Sequence, residues 1–553
     1  MKVSVFIVVL FALVVPCQAR LIIIDDDGIA DFDNIQAAID DANDADEVVL
    51  NPGLYTGPGN RDIDFRGKSI TLRSTDPNDP SIVGTTVIDC EGTEFESHRA
   101  FHFHNGEDAN SVVHGLTITN GYITQFEGKG GAILCSASSP LIRGCSITNS
   151  TVSNGNGGGI CCEFNARPTI ETCAIRNNYA SINGGGIYLG PGNTSIKDCE
   201  IADNYAGFEA GGIFISSCAY INGCDISFNK GSGIVCDVGS TVEVAKCTIQ
   251  GNILFEDSCG GGIVCRGAAV VGKSEIIGNI ARSNWFRGSS GGGITCSGGT
   301  MSLDNCVVAG NRSLSGPGRF GEMTAGNGGG ISCSGGSITA NQCTIANNIA
   351  QVRGSAMYIE WGDMTLTNCI IWGNSPDEIS GQTPSVTYSN VGESWTGTGN
   401  ISIEPLFAAT GYWTDGGTAQ DVNDDFWIDG DYHLQSEAGR WNPVNQTWLK
   451  DSATSTCIDS GKPGCPVGQE APTNGGRVNM GAYGQTSEAS LSTENWYRLG
   501  DITNDLSVDY SDLQALASYW LGQDNCLPVD LNHDGSVTFD DFAILADSWK
   551  QRQ

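Results

Sequence analysis

Gly157-Gly158-Gly159-Ile160-Cys161-Cys162 returns in variant form along much of this 553-residue chain. About ten residues after each copy comes a second signature, Cys-x-Ile-x-x-Asn, which reads Cys173-Ala-Ile-Arg-Asn-Asn178 after the first stretch. We count ten copies of the second signature, from Leu116 to Cys369, and they are spaced 23 to 37 residues apart. A self-similar period of this length is typical of a repeat architecture.

The repeats predict an all-β fold, a right-handed parallel β-helix solenoid with one coil per repeat. Glycines at every turn of the pattern disfavour helices, and the apolar residues alternate with a period of two, as at Ile187 and Leu189. Equivalent residues of stacked coils then lie about 4.8 Å apart, one strand spacing. We expect the Asn column to hydrogen-bond along its ladder and to favour a left-handed turn. The glycines permit the opposite corner.

Thirteen of the 22 cysteines follow the same repeat. They form two columns, which comprise Cys162, Cys236, Cys265, Cys296 and Cys333 in one, and Cys145, Cys173, Cys199, Cys224, Cys247, Cys306, Cys343 and Cys369 in the other. Neighbours in register on a sheet are about one strand spacing apart, farther than the ~3.8 Å between the Cβ atoms of a disulfide. We therefore expect buried thiols that pack as small apolar residues.

Residues 1–19 have the features of a secretory signal peptide: Lys2, an apolar run, and small residues before Arg20. No later stretch is long and apolar enough to span a bilayer. The net charge is 28 − 63 = −35, which argues against nucleic acid and anionic membrane surfaces as partners. The sequence predicts an exported, extracellular protein, with attachment to a cell surface or complex left open.

Residues 20–410 are expected to form the β-helix. Asn34–Ala42 predicts a short amphipathic helix that covers the open edge of the first coil. This helix, followed by Asn51-Pro52-Gly53-Leu54-Tyr55, resembles the beginning of the pectate-lyase-like superfamily. The resemblance implies carbohydrate substrates and a place among polysaccharide lyases, glycoside hydrolases or non-catalytic adhesins.

The acidic residues of the strands form no obvious catalytic cluster, so the catalytic residues stay unknown. Loop lengths give a better lead, because the connections after Asn252, Asn279 and Asn311 grow longer in successive coils. Such loops should stack into one raised wall. Its candidate saccharide-binding residues are Glu256, Asp257, Trp285, Phe286, Arg287, Arg319, Phe320 and Glu322. Aromatic rings and Arg suit sugars and their carboxylates, although β-helix loops also vary in length without function.

The period fades after Asn374. Residues 411–484 predict a closing region of the solenoid, and residues 485–498 a short polar linker. The last unit, residues 499–553, carries the sharpest motif, two twelve-residue loops with oxygen-bearing side chains at positions 1, 3, 5, 7, 9 and 12. These residues are Asp501, Thr503, Asp505, Ser507, Asp509 and Asp512 in the first loop, and Asp530, Asn532, Asp534, Ser536, Thr538 and Asp541 in the second. This spacing is that of calcium ligands.

Each loop is followed by a helical pattern with apolar spacing 0, 3, 4, 7. The predicted apolar faces are Leu513, Leu516, Ala517 and Trp520, and Phe542, Leu545, Ala546 and Trp549. Two calcium loops that each open one half of a duplicated unit, with Asp at position 12, resemble a type I dockerin. The resemblance implies two Ca²⁺ ions and a cohesin-type scaffold domain as partner.

Two departures from the dockerin pattern stand out. Leu506 replaces the turn Gly of the first loop, which should weaken that site. Positions 10 and 11, often a Ser/Thr pair facing the cohesin, are Tyr510-Ser511 and Phe539-Asp540. A calcium-stapled stability module without a partner is the alternative for this unit. For the whole chain, the sequence favours a secreted protein that acts on polysaccharide as a lyase or hydrolase. The alternative is a non-catalytic carbohydrate-binding or surface-display protein.

Overall fold

The computed structural model describes most of the chain after the predicted signal peptide. The described residues are 19–254, 260–282, 291–315, 326–417, 425–471, 474–493, 500–503, 505, 507–523, 527, 529–532 and 534–550. The helices in these ranges are Ile35–Asp41, Pro80–Thr85, Tyr510–Ser518 and Phe539–Lys550. Among the described residues, no helix has the length and apolarity needed to cross a membrane.

Parallel strands stacked coil upon coil form the main body, and one large sheet contains two of its ladders. Ladder 1 follows the glycines and comprises Phe101–Phe103, Ile133–Ser136, Ile160–Glu163, Ile187–Leu189, Ile213–Ile215, Ile234–Cys236, Ile263–Cys265, Ile294–Ser297, Ile331–Asn341, Met357–Thr367 and Ile379–Gly381. Ladder 2 comes next in each coil and comprises Leu21–Ile24, Glu47–Leu50, Thr71–Ser74, Val112–His114, Leu141–Arg143, Thr169–Glu171, Asn193–Lys197, Cys218–Asn222, Thr241–Ala245, Ala268–Gly272, Thr300–Asp304 and Ser385–Thr387. Ile331–Asn341 and Met357–Thr367 each run through both ladders.

The Cys-x-Ile strands form a second sheet. This ladder 3 comprises Gly53–Tyr55, Thr86–Asp89, Thr117–Thr119, Ser146–Thr148, Ala174–Arg176, Glu200–Ala202, Asp225–Ser227, Thr248–Gln250, Glu275–Ile277, Val307–Ala309, Thr344–Ala346, Ile370–Trp372 and Asn390–Val391. Short strands after the ladder asparagines form ladder 4, which comprises Tyr122–Ile123, Thr151–Val152, Tyr179–Ala180, Tyr205–Ala206, Ile253–Leu254, Ile280–Arg282, Arg312–Leu314 and Ile349–Ala350. Gly128–Lys129 pairs separately with Gly155–Asn156.

The coil interior is a stack of identical residue types in register. In ladder 1, Cys236 pairs with Cys265, Cys265 with Cys296, and Cys296 with Cys333. These thiols are buried, as are the described cysteines of the second column. In that second column, the backbone N–H of Cys173 donates to Cys199 Sγ at 3.4 Å, and each thiol also faces backbone carbonyls. The prediction of buried thiol columns is confirmed.

The asparagine column hydrogen-bonds continuously along the solenoid axis. Asn229 donates from its side-chain nitrogen to Asn252 Oδ1 at 2.9 Å, and from its backbone nitrogen to the same oxygen at 3.1 Å. Its side chain also donates to the carbonyl of Ile201 in the preceding coil at 2.8 Å. The same pattern links Asn178, Asn204, Asn229, Asn252, Asn279, Asn311, Asn348 and Asn374.

The left-handed corners lie one residue earlier than expected. The residue before the ladder Asn has positive φ, as at Asn177 (φ 55°) and Gly278 (φ 61°), whereas the ladder asparagines do not. The ladder side chain must point inward to bond its neighbours, so the preceding residue turns the chain. The predicted glycine corner is confirmed, as at Gly157 (φ 71°) and Gly291 (φ 71°).

Near the start of the chain, Ile35–Asp41 forms the expected helix, with Asn34 as its N-cap. Its buried face, Ile35, Ala38 and Ile39, joins the core that runs through the coils. That this helix caps the first coil stays a prediction. After the last coil, antiparallel pairs join Phe407–Ala409 with Asp431–Leu434, Tyr412–Trp413 with Trp427–Ile428, and Arg440–Asn442 with Thr447–Leu449. A second core packs Tyr432, Cys457 and Met480 against the outer face of ladder 3.

Candidate metal centre

The two predicted calcium loops enclose buried acids at their first and last positions. Asp501 and Asp530, at position 1, are 3% and 2% exposed, and Asp512 and Asp541, at position 12, are fully buried. A buried carboxylate is costly unless hydrogen bonds and a counter-charge compensate for lost hydration. The first of these two requirements is met within the loops themselves.

Both position-12 carboxylates accept backbone hydrogen bonds from equivalent places. Asp512 accepts from the nitrogens of Thr503 and Asp509, each at 2.8 Å. Asp541 accepts from the nitrogens of Asn532 at 3.2 Å and Thr538 at 2.8 Å. The last ligand position therefore ties each loop closed in the same way.

The first loop brings three acids together. Carboxylate oxygens of Asp501, Asp505 and Asp512 all lie within 4.8 Å of one another. Oxygens bound 2.3–2.6 Å from one Ca²⁺ are at most about 5 Å apart, so this spacing fits a calcium donor set. Three negative groups this close repel each other unless a cation neutralises them. The donor set therefore fits the metal that the spacing predicts, while Leu506 lies outside the described residues.

In the second loop, Asp534 is hydrogen-bonded to two neutral side chains, whereas the first loop brings three acids together. Asn532 donates to Asp534 Oδ2 at 3.0 Å, and Ser536 Oγ donates to Asp534 Oδ1 at 2.7 Å. These hydrogen bonds, that from Ser536 foremost, lower the pKa of Asp534. Gly535 at position 6 has φ 85°, the left-handed conformation that the turn requires. Asp530 folds the loop by accepting from the nitrogen of Gly535 at 2.8 Å.

The position-9 side chains act as helix caps. The Asp509 carboxylate accepts from the nitrogen of Ser511 at 2.8 Å and begins the helix Tyr510–Ser518 with a capping box. Thr538 Oγ1 accepts from the nitrogen of Asp540 at 3.2 Å, ahead of Phe539–Lys550. In an EF-hand, position 9 often binds calcium through a water, so capping leaves the inner ligand positions to the other residues.

The predicted apolar helix faces are only partly buried. Leu516 and Leu545 are fully buried beside Ile502, Leu531 and Val537. Ala517, Trp520 and Phe542 are exposed, so that part of the prediction is wrong. The two loops supply much of this small core, which leaves little room for a second buried row on each helix.

Aromatic residues instead pair between the two halves of the duplicated unit. Tyr510 packs edge-on against Trp549 with ring centroids 5.3 Å apart, and Phe539 packs likewise against Trp520 at 5.0 Å. Tyr510 and Phe539 are equivalent loop positions, and they are 78% and 75% exposed. The unit therefore presents two symmetry-related aromatic edges to solvent.

The predicted loop wall cannot be placed. Its candidate residues are Glu256, Asp257, Trp285, Phe286, Arg287, Arg319, Phe320 and Glu322, and all lie outside the described residues. The strands from which the three loops leave are described, and they are neighbours: Ile253 pairs with Ile280, and Ile280 pairs with Arg312. The saccharide-binding role of the wall stays a prediction.

A comparison with protein-family models agrees with the observed coils. The family model described as a right handed beta helix region matches residues 81–248 and 211–404. The crystal structure of pectate lyase Pel9A is similar at 12% identity and a TM-score of 0.34, over 84% of this chain and 96% of that chain. No curated protein sequence matches significantly. Since the family matches together run from residue 81 to residue 404, more than half of the 553 residues, the chain belongs to the family of proteins with a right-handed β-helix region.

Proposed function

We propose that this chain is a secreted β-helix protein that acts on or binds polysaccharide, and that a calcium-dependent, dockerin-like unit attaches it to a cohesin-type scaffold domain. In this proposal, residues 1–19 are the signal peptide, 20–410 the β-helix, 411–484 its closing region, 485–498 a linker and 499–553 the dockerin-like unit. The observation that carries the calcium-dependent part is the cluster of Asp501, Asp505 and Asp512 oxygens within 4.8 Å.

The duplicated geometry supports two ions. Both loops have a buried Asp at position 1 and at position 12. In each loop, a helix begins at position 10. The exposed aromatic edges at Tyr510 and Phe539 occupy the positions that face a cohesin in dockerins. An aromatic pair there would select a partner surface different from the one that a Ser/Thr pair binds, because large rings need apolar pockets.

Calcium titration of the full-length protein by isothermal calorimetry tests this proposal. We expect two bound Ca²⁺ in the unaltered protein and one in Asp541→Asn, because a neutral amide replaces a carboxylate that closes the second loop. Asp540→Asn is the matched control: this neighbouring residue is exposed and should leave the stoichiometry at two. Unchanged calcium binding in Asp541→Asn would refute the assignment of the second site.

The polysaccharide part is tested separately. Incubation with a polysaccharide panel in the presence of calcium should yield an unsaturated, ultraviolet-absorbing product from a lyase, or new reducing ends alone from a hydrolase. Retention on the polysaccharide without either product would establish a binding protein. No cleavage and no retention across the panel, from protein that folds and binds calcium, would contradict a role in polysaccharide metabolism.

A further inference from the structure

A cleft lies where the closing region crosses the outer face of ladder 3, and we call it the corner cleft. It has two compartments. The polar compartment, with a volume of about 340 Å³, is lined by Lys246, Thr248, Lys273, Glu275, Tyr483 and Glu488 among others. The aromatic compartment, of about 250 Å³, is lined by Phe228, Gln250, Ile277, Trp413, Phe426 and Trp427 among others.

The two compartments adjoin along the same strands. Thr248 lines the polar compartment and Gln250 the aromatic one, and both belong to the strand Thr248–Gln250. Glu275 and Ile277 repeat this relation on the next strand. Residues two apart on a strand point to the same face and lie about 6.6 Å apart. A ligand that follows the strand direction therefore passes from one compartment into the other.

Glycines at successive coil corners allow Trp427, which lines the aromatic compartment, to pack closely against the coils. A Cβ at Gly278 would lie 2.8 Å from the Cβ of Trp427, and a Cβ at Gly310 only 2.4 Å from the Trp427 indole. Trp413 meets Trp427 edge-on at 5.8 Å, and the Arg312 guanidinium lies 3.7 Å above the Trp413 ring. Arg312 also pairs with Asp425. The indoles are thus held in fixed orientations on the corner.

Phe228 occupies a strained position on the same column of corners. Its φ is 54°, and the equivalent residues of neighbouring coils are Asp203 and Gly251. Left-handed backbone is disfavoured for a bulky residue, yet 57% of Phe228 remains exposed. The ring lies over Gly251, where a Cβ would be 2.7 Å away, and faces the compartment.

The polar compartment is braced from behind by a buried histidine. His433 Nδ1 lies 2.6 Å from Asp431, and its Nε2 lies 3.4 Å from Glu488. Its ring stacks on Tyr483 with centroids 3.5 Å apart. Burial lowers the pKa of His433, but the hydrogen bonds to Asp431 and Glu488 outweigh it and raise the pKa overall. The His433 ring thus lies between the carboxyl groups of Asp431 and Glu488, at the back of the polar compartment.

Glu275 supplies the polar compartment with a second carboxyl group beside that of Glu488. Burial, followed by the neighbouring charge of Asp429, raises its pKa. Its carboxyl oxygens line the cleft and can accept hydrogen bonds from hydroxyl groups. A sugar ring presents a C–H face that packs on aromatic rings and hydroxyls that donate and accept hydrogen bonds. The cleft offers both kinds of surface side by side, which matches the usual composition of small-ligand sites.

We propose that the corner cleft binds a saccharide chain, with one sugar ring stacked against Phe228 in the aromatic compartment and the adjacent ring hydrogen-bonded to Glu275 and Glu488. This inference rests on the proposed polysaccharide function and gives it a location. The location differs from the loop wall predicted from sequence, because the cleft joins ladder 3 to the closing region.

Binding of calcium-loaded, full-length protein to xylan, mixed-linkage β-glucan, galactomannan and polygalacturonate, measured by affinity electrophoresis, tests the proposal. Phe228→Asn removes the ring and introduces a residue that the solenoid uses at the same corner, at Asn177 and Asn347. Phe164→Asn is the matched control, because Phe164 also has positive φ (55°) and is 62% exposed, but does not line the cleft. Circular dichroism confirms that each variant folds.

We expect Phe228→Asn and Glu275→Ala each to weaken binding of the retained polysaccharide at least tenfold, and Phe164→Asn to leave it unchanged. Ligand should also shift the tryptophan emission, because Trp427 lines the cleft. If the unaltered protein is retained but both cleft variants bind equally well, the cleft is not the site, while the proposed polysaccharide function stands. If none of the four polysaccharides retards the unaltered protein, both proposals are contradicted.

Discussion

The solenoid and the calcium-loop unit bury polar groups in opposite ways. In the solenoid, the two cysteine columns and the asparagine column bury neutral thiols and amides, and each ladder amide finds its partner in the next coil, as Asn204 finds Asn229. In the calcium-loop unit, the buried groups are carboxylates such as Asp512 and Asp541. Backbone N–H groups hydrogen-bond to these carboxylates, but they do not neutralise the negative charge. The solenoid should therefore be stable by itself, and the unit only with its cation.

Removal of calcium should produce the largest difference between the two regions. Residues 500–553 carry ten Asp and only two basic residues, Lys550 and Arg552. At a calcium concentration one thousand times Kd, each site stabilises the folded unit by about 4 kcal/mol. Excess chelator should therefore abolish the helical circular dichroism and leave the β-sheet signal. Retention of both helices in chelator would contradict the expectation that the unit needs its cation to fold. Replacement of calcium by magnesium tests whether the stabilisation is specific for calcium.

Interruption of the asparagine ladder should produce the next largest effect. Asn229→Leu removes the acceptor of the Asn204 backbone and side-chain nitrogens and the donor to the Ile201 carbonyl. Each buried group left unpaired costs about 1–3 kcal/mol, so a total loss of about 3 kcal/mol or more is expected. The loss should appear in urea unfolding and be independent of calcium.

Asn154→Leu is the control for the ladder variant. Asn154 is exposed, and its amide makes one bond to the Thr124 carbonyl. Its replacement should change the free energy of unfolding by less than about 0.5 kcal/mol, as for most surface substitutions. Equal losses in both variants would mean that the ladder adds nothing beyond ordinary surface contacts.

The carboxyl group of Glu378, at the end of the asparagine ladder, should make the stability of the solenoid depend on pH. Asn374 donates to Glu378 at 2.6 Å, and burial raises the pKa of Glu378 to about 7, against this hydrogen bond. Because the unfolded chain titrates near 4.5, it binds fewer protons than the folded chain between these values. Solenoid stability should then fall by about 2 kcal/mol as pH rises from about 4.5 to 7.

Glu378→Gln should remove most of this slope, because Gln keeps an acceptor for Asn374 without a titrating group. The calcium-loop unit should respond in the opposite sense, since its carboxylates lose calcium as they are protonated at low pH. Thermal unfolding followed separately by β-sheet and helical signals measures both. The same slope in Glu378→Gln and in the unaltered protein would exclude Glu378 as its source.

The solenoid could be predicted from sequence because every coil repeats the same inward residues. Cys173, Ile175 and Asn178 keep their spacing, so their ladders follow from strand geometry alone. The two twelve-residue loops were equally visible, because six oxygen-bearing side chains recur at the same positions in each; that they bind calcium stays a prediction. Sequence did not reveal which side chains of the small unit stay exposed, since Trp520 and Phe539 pack against the other half of the duplication.

The corner cleft could not be predicted, because it joins distant segments with no shared period. Glu275 belongs to a coil, Trp427 to the irregular closing region and Glu488 to the segment that follows it. One signal was present in the sequence: the residue before the ladder Asn is glycine in three successive coils, at Gly251, Gly278 and Gly310. Loss of side chains from one corner column marks the place where another segment of the chain packs.

The smallest expected effect separates the two cysteine columns within the solenoid. Cys247 Sγ accepts from the nitrogen of Cys224 at 3.5 Å, and the Ser274 hydroxyl accepts in the same way in the next coil. Cys236 is fully buried among apolar residues, and burial raises the pKa of its thiol to about 12. Cys247→Ser should therefore cost less than about 1 kcal/mol, whereas Cys236→Ser leaves a hydroxyl without a partner and should cost about 1–3 kcal/mol. Urea unfolding of the two variants measures the difference. A larger loss in Cys247→Ser would show that the sulfur column is maintained by size and not by its hydrogen bonds.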